Sequence, residues 1–145
     1  MSRTVDRRQG LAPALTLEPM SPRRIPALAI VADVVAVLVF AAVGRMSHDR
    51  SDDLLGLLGT AAPFLVGVLA VWATPVVRAN PIGARAALVV WAGTVVIGLA
   101  LRTALTERLP LSFAVVTTVA LAVLMLGWRG LSALVALRAR QRALH

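Results

Sequence analysis

One acidic residue, Asp33, lies inside an otherwise apolar stretch of the chain. On insertion scales an aspartate at the centre of a membrane span costs about 2.5–3.5 kcal/mol, so a partner has to offset that cost. Arg85 and Arg129 lie at the ends of later apolar runs and could reach it with a charge, whereas Trp91 and Thr94 could donate neutral hydrogen bonds. Two interpretations stay open: a proton- or cation-binding site, and a structural hydrogen bond that sets the helix register.

A second group of polar side chains follows the first apolar run, in the segment Gly44-Arg45-Met46-Ser47-His48-Asp49 and at Asp52 and Asp53. An imidazole that titrates near neutral pH, beside carboxylates, suggests proton or metal chemistry on the outer face. One histidine among loop acids is a weak metal signal, so we expect no metal site. We favour the alternative, in which Asp49 or Asp52 caps the next helix and Arg45 anchors at the lipid headgroups.

The third apolar run carries a polar stripe formed by Trp91, Thr94, Gly98 and Arg102. Spacings of three and four residues place these positions on one helix face. Thr94 and Gly98 also form a small-x-x-x-small pair, which allows close approach of another helix. We favour a packing face with an interfacial arginine over a functional polar track.

Small residues and a proline recur in the second run, at Gly59, Pro63 and Gly67. Their spacing of four residues predicts a close-packing face with a kink, because proline removes one helix hydrogen bond. A hinge or a lipid groove is the alternative. At the end of the fourth run, Gly127-Trp128-Arg129 is typical of an interfacial anchor.

The elements that must position these residues are four apolar runs. The chain has 145 residues, of which 59% are hydrophobic and 15% are charged, and its mean hydropathy is +0.83. Runs of about 20 apolar residues can cross a bilayer as helices. The expected transmembrane domain covers residues 25–137, with spans at about 25–43, 54–74, 84–102 and 109–137.

The predicted fold is all-α, a transmembrane four-helix up-down-up-down bundle. Strands are not expected, because the runs are continuous rather than alternating and each span has to satisfy its own backbone hydrogen bonds in lipid. Short connections make consecutive helices antiparallel neighbours. Residues 1–24 and 138–145 are predicted to be basic cytoplasmic tails, the first of them flexible.

The arginines predict an orientation with both termini in the cytoplasm, because positive charge accumulates on that side of a membrane. All fifteen basic residues are arginine. Four lie on the predicted outer side: Arg45, Arg50, Arg102 and Arg108. Eleven lie on the predicted inner side: Arg3, Arg7, Arg8, Arg23, Arg24, Arg78, Arg85, Arg129, Arg138, Arg140 and Arg142.

Composition also argues against several classes of function. The chain has no cysteine, which excludes disulfides and thiolate metal sites, and neither histidine lies in a predicted span, where a haem would need one. The calculated pI of about 11.9 would suit nucleic-acid binding, but arginines at the ends of apolar runs indicate membrane topology instead. We therefore expect no cofactor and no nucleic-acid partner.

Together these motifs resemble the DUF3054 family of uncharacterised membrane proteins. The resemblance rests on Asp33, on the Gly-Arg-x-Ser-His-Asp segment from Gly44, on Trp-x-x-Thr-x-x-x-Gly-x-x-x-Arg from Trp91, and on Gly-Trp-Arg from Gly127. It covers residues 28–130 approximately. It implies a bacterial integral membrane protein of the actinobacterial type and implies no activity.

Two functions from different classes remain. The first is a non-enzymatic accessory or structural component of a membrane, which stabilises or regulates a larger complex. The second is a small oligomeric transporter, coupled to protons or ions, that uses Asp33. The expected partners are the lipid bilayer and either further copies of the chain or a larger membrane complex. The unequal distribution of arginines argues against the dual topology typical of small multidrug exporters.

Overall fold

The computed structural model describes residues 24–46 and 54–143 of the chain. Every regular element in these residues is a helix, which confirms the all-α prediction. In chain order the helices are α1 (Arg24–Met46), α2 (Leu54–Trp72), α3 (Pro75–Ala79), α4 (Ala84–Thr106) and α5 (Leu111–Ala143). Most of the predicted N-terminal tail lies outside the described residues.

Four of these helices are long and apolar enough to cross a membrane: α1, α2, α4 and α5, with 23, 19, 23 and 33 residues. At a rise of 1.5 Å per residue, α2 reaches about 28 Å and α5 about 50 Å, compared with a hydrocarbon thickness of about 30 Å. The prediction of a multi-pass transmembrane protein with four spanning helices is confirmed at this level.

The helices differ in extent from the predicted apolar runs. α1 and α4 continue to Met46 and Thr106, and α5 continues through the arginine-rich segment to Ala143. Hydropathy marks where side chains stop being apolar, whereas a helix ends where its backbone hydrogen bonds end, and arginine is a good helix former. Glu107 caps the end of α4: it adopts a left-handed conformation (φ 54°) and donates its backbone N–H to the carbonyl of Thr103.

The connection between α2 and α4 is not a plain loop but contains the short helix α3. Pro75 occupies its first turn, where proline is favoured because the backbone N–H there has no partner within the helix. The Thr74 hydroxyl donates to the carbonyl of Val71 at 2.6 Å, which helps to turn the chain between the two helices.

The four long helices pack in a ring, in which α1 and α4 each contact both α2 and α5. Contacts between α1 and α2 pair Asp33 with Trp72 and Phe40 with Phe64. Contacts between α4 and α5 pair Trp91 with Thr118 and Arg102 with Phe113. In both pairs the residue numbers rise along one helix as they fall along the other, so these neighbours run in opposite directions.

Four polar side chains lie within the otherwise apolar interior of the bundle, and many large apolar side chains lie on its outer surface. Asp33, Thr94, Thr117 and Arg129 are buried, whereas large apolar side chains on all four long helices are exposed, including Val31, Leu69, Val96 and Val119. This distribution suits hydrocarbon surroundings, where apolar side chains face lipid and polar groups find partners inside the protein. The side of the membrane that holds each terminus stays a prediction.

Candidate functional site: a buried aspartate–arginine–tryptophan cluster

The inner faces of α1 and α5 bring together the two charged residues of the bundle interior. In α1, Asp33 follows Ala29 by four residues on the buried face and has no exposed surface. In α5 the buried residues recur at every fourth position: Thr117, Leu121, Met125 and Arg129. The spacing of four residues keeps this row on one helix face, so Arg129 points inward, where it is only 4% exposed.

Asp33 and Arg129 form a two-pronged ion pair. Arg129 Nη1 donates to Asp33 Oδ1 at 2.6 Å, and Arg129 Nη2 donates to Asp33 Oδ2 at 2.8 Å. A planar guanidinium matches a carboxylate in this parallel arrangement, which gives stronger and more directional bonds than a single contact. The charge of the aspartate is therefore matched inside the bundle.

Two tryptophans complete the coordination of the carboxylate. Trp72, the last residue of α2, donates its indole Nε1–H to Asp33 Oδ2 at 2.9 Å, and Trp128 donates to Oδ1 at 3.0 Å. Each carboxylate oxygen thus accepts one bond from Arg129 and one from an indole. Since an ionised carboxylate offers about four lone-pair sites, its acceptor capacity is used in full.

Arg129 also holds the chain that leads into α4. Its Nε donates to the carbonyl of Pro81 at 3.2 Å, and its Nη1 makes a longer bond of 3.3 Å to the carbonyl of Met125 within α5. Its guanidinium carbon lies 4.4 Å from the centre of the Trp128 ring, a cation–π distance. The cluster therefore joins three of the long helices, α1, α2 and α5, to the segment that leads into α4.

A further arginine supports the tryptophan that ends α2. Arg78 in α3 donates its Nε to the backbone carbonyl of Trp72 at 3.0 Å. Carbonyls at the end of a helix lack partners within it and carry partial negative charge, which a cation there stabilises. This contact fixes the backbone of Trp72, and hence the direction from which its indole meets Asp33.

The chemistry available to the cluster follows from this coordination. A carboxylate that already accepts four hydrogen bonds has to give one up before it can take a proton or bind a cation. Among residues 24–46 and 54–143, no group of three histidine, cysteine or acidic side chains lies close enough to hold a metal ion. The arrangement is suited to linking helices.

The structure shows which of the residues predicted to contact Asp33 do so. Of the four proposed partners, Arg129 contacts it, whereas Arg85 is exposed at the start of α4. Trp91 donates its indole N–H to the backbone carbonyl of Thr118 at 3.0 Å. Thr94 is buried, but its hydroxyl has no partner among the described residues.

Two candidates from the predicted outer side, Arg45 and Arg102, lie at the other end of the bundle. Arg102 stacks at 4.3 Å over the ring of Phe113, which belongs to a cluster of three aromatic rings with Phe40 and Phe64. The guanidinium of Arg45 lies where a Cβ on Gly56 would stand. Ser47, His48 and Asp49 lie outside the described residues, so the role predicted for this segment on the outer face stays a prediction.

The residues predicted to form packing faces differ in their surroundings. A Cβ added to Gly67 would lie 3.0 Å from the carbonyl oxygen of Thr94, and one added to Gly98 would collide with the ring of Phe64, so α2 and α4 approach closely there. Pro63 is buried in α2. Gly59 is exposed, and a Cβ there would meet nothing within 4 Å in the described part of the chain.

Sequence reasoning missed the two tryptophans of the cluster. The Gly127-Trp128-Arg129 motif predicts an interfacial anchor at Trp128, and none of the sequence motifs includes Trp72. A signal existed for Trp72: antiparallel helices bring the end of α2 beside the first part of α1, so a donor there lies at the level of Asp33. For Trp128 the adjacent Arg129 was the only indication.

The fold and the cluster together define a class: small all-helical proteins with four helices able to span a membrane and a buried ion pair that joins two of them. Within that class, the chain belongs to the family described as "Protein of unknown function (DUF3054)", whose sequence model matches residues 30–132. The match includes all four residues of the cluster. Comparison with curated proteins finds no match, and comparison with solved structures finds none either.

Proposed function

We propose that this protein is a non-enzymatic component of a bacterial cytoplasmic membrane, which stabilises or assembles a larger membrane complex. Both termini lie on the cytoplasmic side in this proposal. The Asp33–Arg129–Trp72–Trp128 cluster joins α1, α2 and α5 to the segment that leads into α4, and the apolar outer surface of the bundle is available to lipid and to partner helices.

The observation that carries the proposal is the complete coordination of Asp33. A carboxylate that carries protons or ions through a cycle needs a site that opens to water and to its cargo. Here Asp33 has no exposed surface, and each of its carboxylate oxygens accepts one hydrogen bond from the Arg129 guanidinium and one from an indole. These contacts favour a permanent link between helices over a carrier.

Purification in a mild detergent from the native membrane tests the accessory role. We expect the tagged protein to elute as part of a larger assembly, with a defined membrane partner identified by mass spectrometry. Chemical cross-linking before solubilisation should capture the same partner. A chain that purifies alone, without a partner in either procedure, would count heavily against the proposal.

Reconstitution into lipid vesicles tests the competing transporter function. Vesicles loaded with a pH-sensitive dye are given a proton gradient, and a potassium ionophore prevents charge build-up. We expect the wild-type protein to give no more flux than empty vesicles. A flux in the wild type that Asp33→Asn abolishes, and that the exposed control Glu107→Gln retains, would replace the accessory role with proton transport.

A further inference from the structure

Two buried hydroxyl groups lie in the bundle apart from the charged cluster. Thr94 in α4 and Thr117 in α5 have no exposed surface, and neither Oγ1 has a hydrogen-bond partner among the described residues. A hydroxyl buried in apolar surroundings without a hydrogen bond costs free energy, about 1–3 kcal/mol by mutational measures. Such groups in proteins are usually satisfied by protein or by ordered water.

The other threonines of the long helices satisfy their hydroxyls within their own helix. Each of four donates to the backbone carbonyl four residues earlier, at 2.7–3.0 Å: Thr60, Thr103, Thr106 and Thr118. A helical threonine can choose between two rotamers, one of which makes this bond. Thr94 and Thr117 do not use it, so their hydroxyls stay available for another partner.

Thr94 and Thr117 lie near the level of the hydrogen bond that joins Trp91 of α4 to Thr118 of α5. Trp91 of α4 bonds the carbonyl of Thr118, which places the neighbouring Thr117 at this level of the bundle. Thr94 lies three residues after Trp91, less than one helical turn of about 5.4 Å. On its other side, the backbone of Thr94 packs closely against Gly67 of α2, where an added Cβ would lie 3.0 Å from the Thr94 carbonyl oxygen.

We propose that the α4–α5 contact is an internal water-binding site, where Thr94 and Thr117 hold one or more buried water molecules. Water suits this site because a hydroxyl can both donate to it and accept from it. An internal water typically makes about three hydrogen bonds to buried polar groups. The site is distinct from the Asp33 cluster and does not depend on the proposed accessory role.

Replacing each hydroxyl by a methyl group of similar shape gives the first test. For Thr94→Val and Thr117→Val, we expect the melting temperature in lipid discs to fall by about 2–4 °C each, since the bound water loses a partner. Thr118→Val is the matched control, because its hydroxyl bonds only its own helix, and we expect a smaller change. An unchanged or raised melting temperature in both variants would overturn the proposal, because removing an unsatisfied hydroxyl is neutral or favourable.

Solid-state NMR on the wild-type protein in lipid gives a second test that does not depend on how the variants fold. Magnetisation transferred from water should reach the side chains of Thr94 and Thr117, and should be weak or absent at Leu121, which is buried on the same face of α5. Transfer at both threonines supports an internal water. Its absence at both overturns the proposal, whatever the melting temperatures show.

Discussion

Removing one charge of the Asp33–Arg129 pair tests whether the cluster holds the bundle together. Asp33→Asn keeps the shape of the side chain but replaces one carboxylate oxygen by an NH₂ group. Either orientation of the amide then points a donor at a donor, because both oxygens accept from a guanidinium nitrogen and an indole. Arg129 is left as a cation that is 4% exposed and has lost its counter-charge.

The magnitude follows from this burial. Removing one partner of a buried ion pair typically costs about 3–5 kcal/mol, because the other charge remains without compensation. We expect Asp33→Asn to lower the free energy of unfolding by that amount, and Arg129→Met, which leaves the carboxylate with two indole donors, to do the same. The double variant buries no unpaired charge, so it should lose about as much as one single variant rather than their sum.

Denaturant titration in detergent micelles or lipid discs measures these differences, with helix content followed by circular dichroism. Glu107→Gln serves as the control, since this acid is exposed beyond the end of α4, and its effect should stay within about 0.5 kcal/mol. Losses below about 1 kcal/mol in both single variants would refute the argument. So would a double variant whose loss equals the sum, because independent sites add.

Three further predictions use the same unfolding measurement or a simple reporter. Trp72→Phe should lower the free energy of unfolding by about 1.5–3 kcal/mol, because the lost indole N–H bonds a charged group. Trp91→Phe should lower it by only about 0.5–1.5 kcal/mol, because the acceptor there is a neutral carbonyl. Equal losses in the two variants would contradict the role of the cluster. Gly98→Ala should destabilise by about 1–3 kcal/mol through its collision with Phe64, and Gly127→Ala, where a Cβ has open space, should be neutral or stabilise by up to about 1 kcal/mol. A periplasm-dependent phosphatase fused to the C-terminus should be inactive, and an active fusion would reverse the predicted orientation.

The helical fold could be predicted from the sequence alone because its signal is local. Each apolar run is long enough to span hydrocarbon, and lipid forces such a run to satisfy its own backbone hydrogen bonds. No contact between helices is needed for that conclusion. The structure accordingly differs mainly at helix ends, at Met46, Thr106 and Ala143, and in the short helix α3.

For the candidate site, the sequence predicts that Asp33 needs a partner but not which residues provide it. The cost of a charge in lipid required a partner for Asp33, and Arg129 was one of two arginines considered. The choice between Arg129 and Arg85 depends on how each helix is rotated about its axis, and here α5 turns Arg129 inward while Arg85 is exposed. The roles of Trp72 and Trp128 depend on the same rotations and on where α2 ends.

The amino-acid sequence by itself determined that this chain has four helices long and apolar enough to span a membrane. It also determined that Asp33 needs a donor, because both conclusions follow from the free energy of placing local groups in hydrocarbon. Only the tertiary structure decided that Arg129 and two indoles fill all four acceptor positions of Asp33, and that Thr94 and Thr117 keep their hydroxyls in the interior. Those outcomes depend on how helices far apart in the chain are rotated and aligned against each other. Close packing between helices, as at Gly67 and Gly98, sets that rotation and alignment.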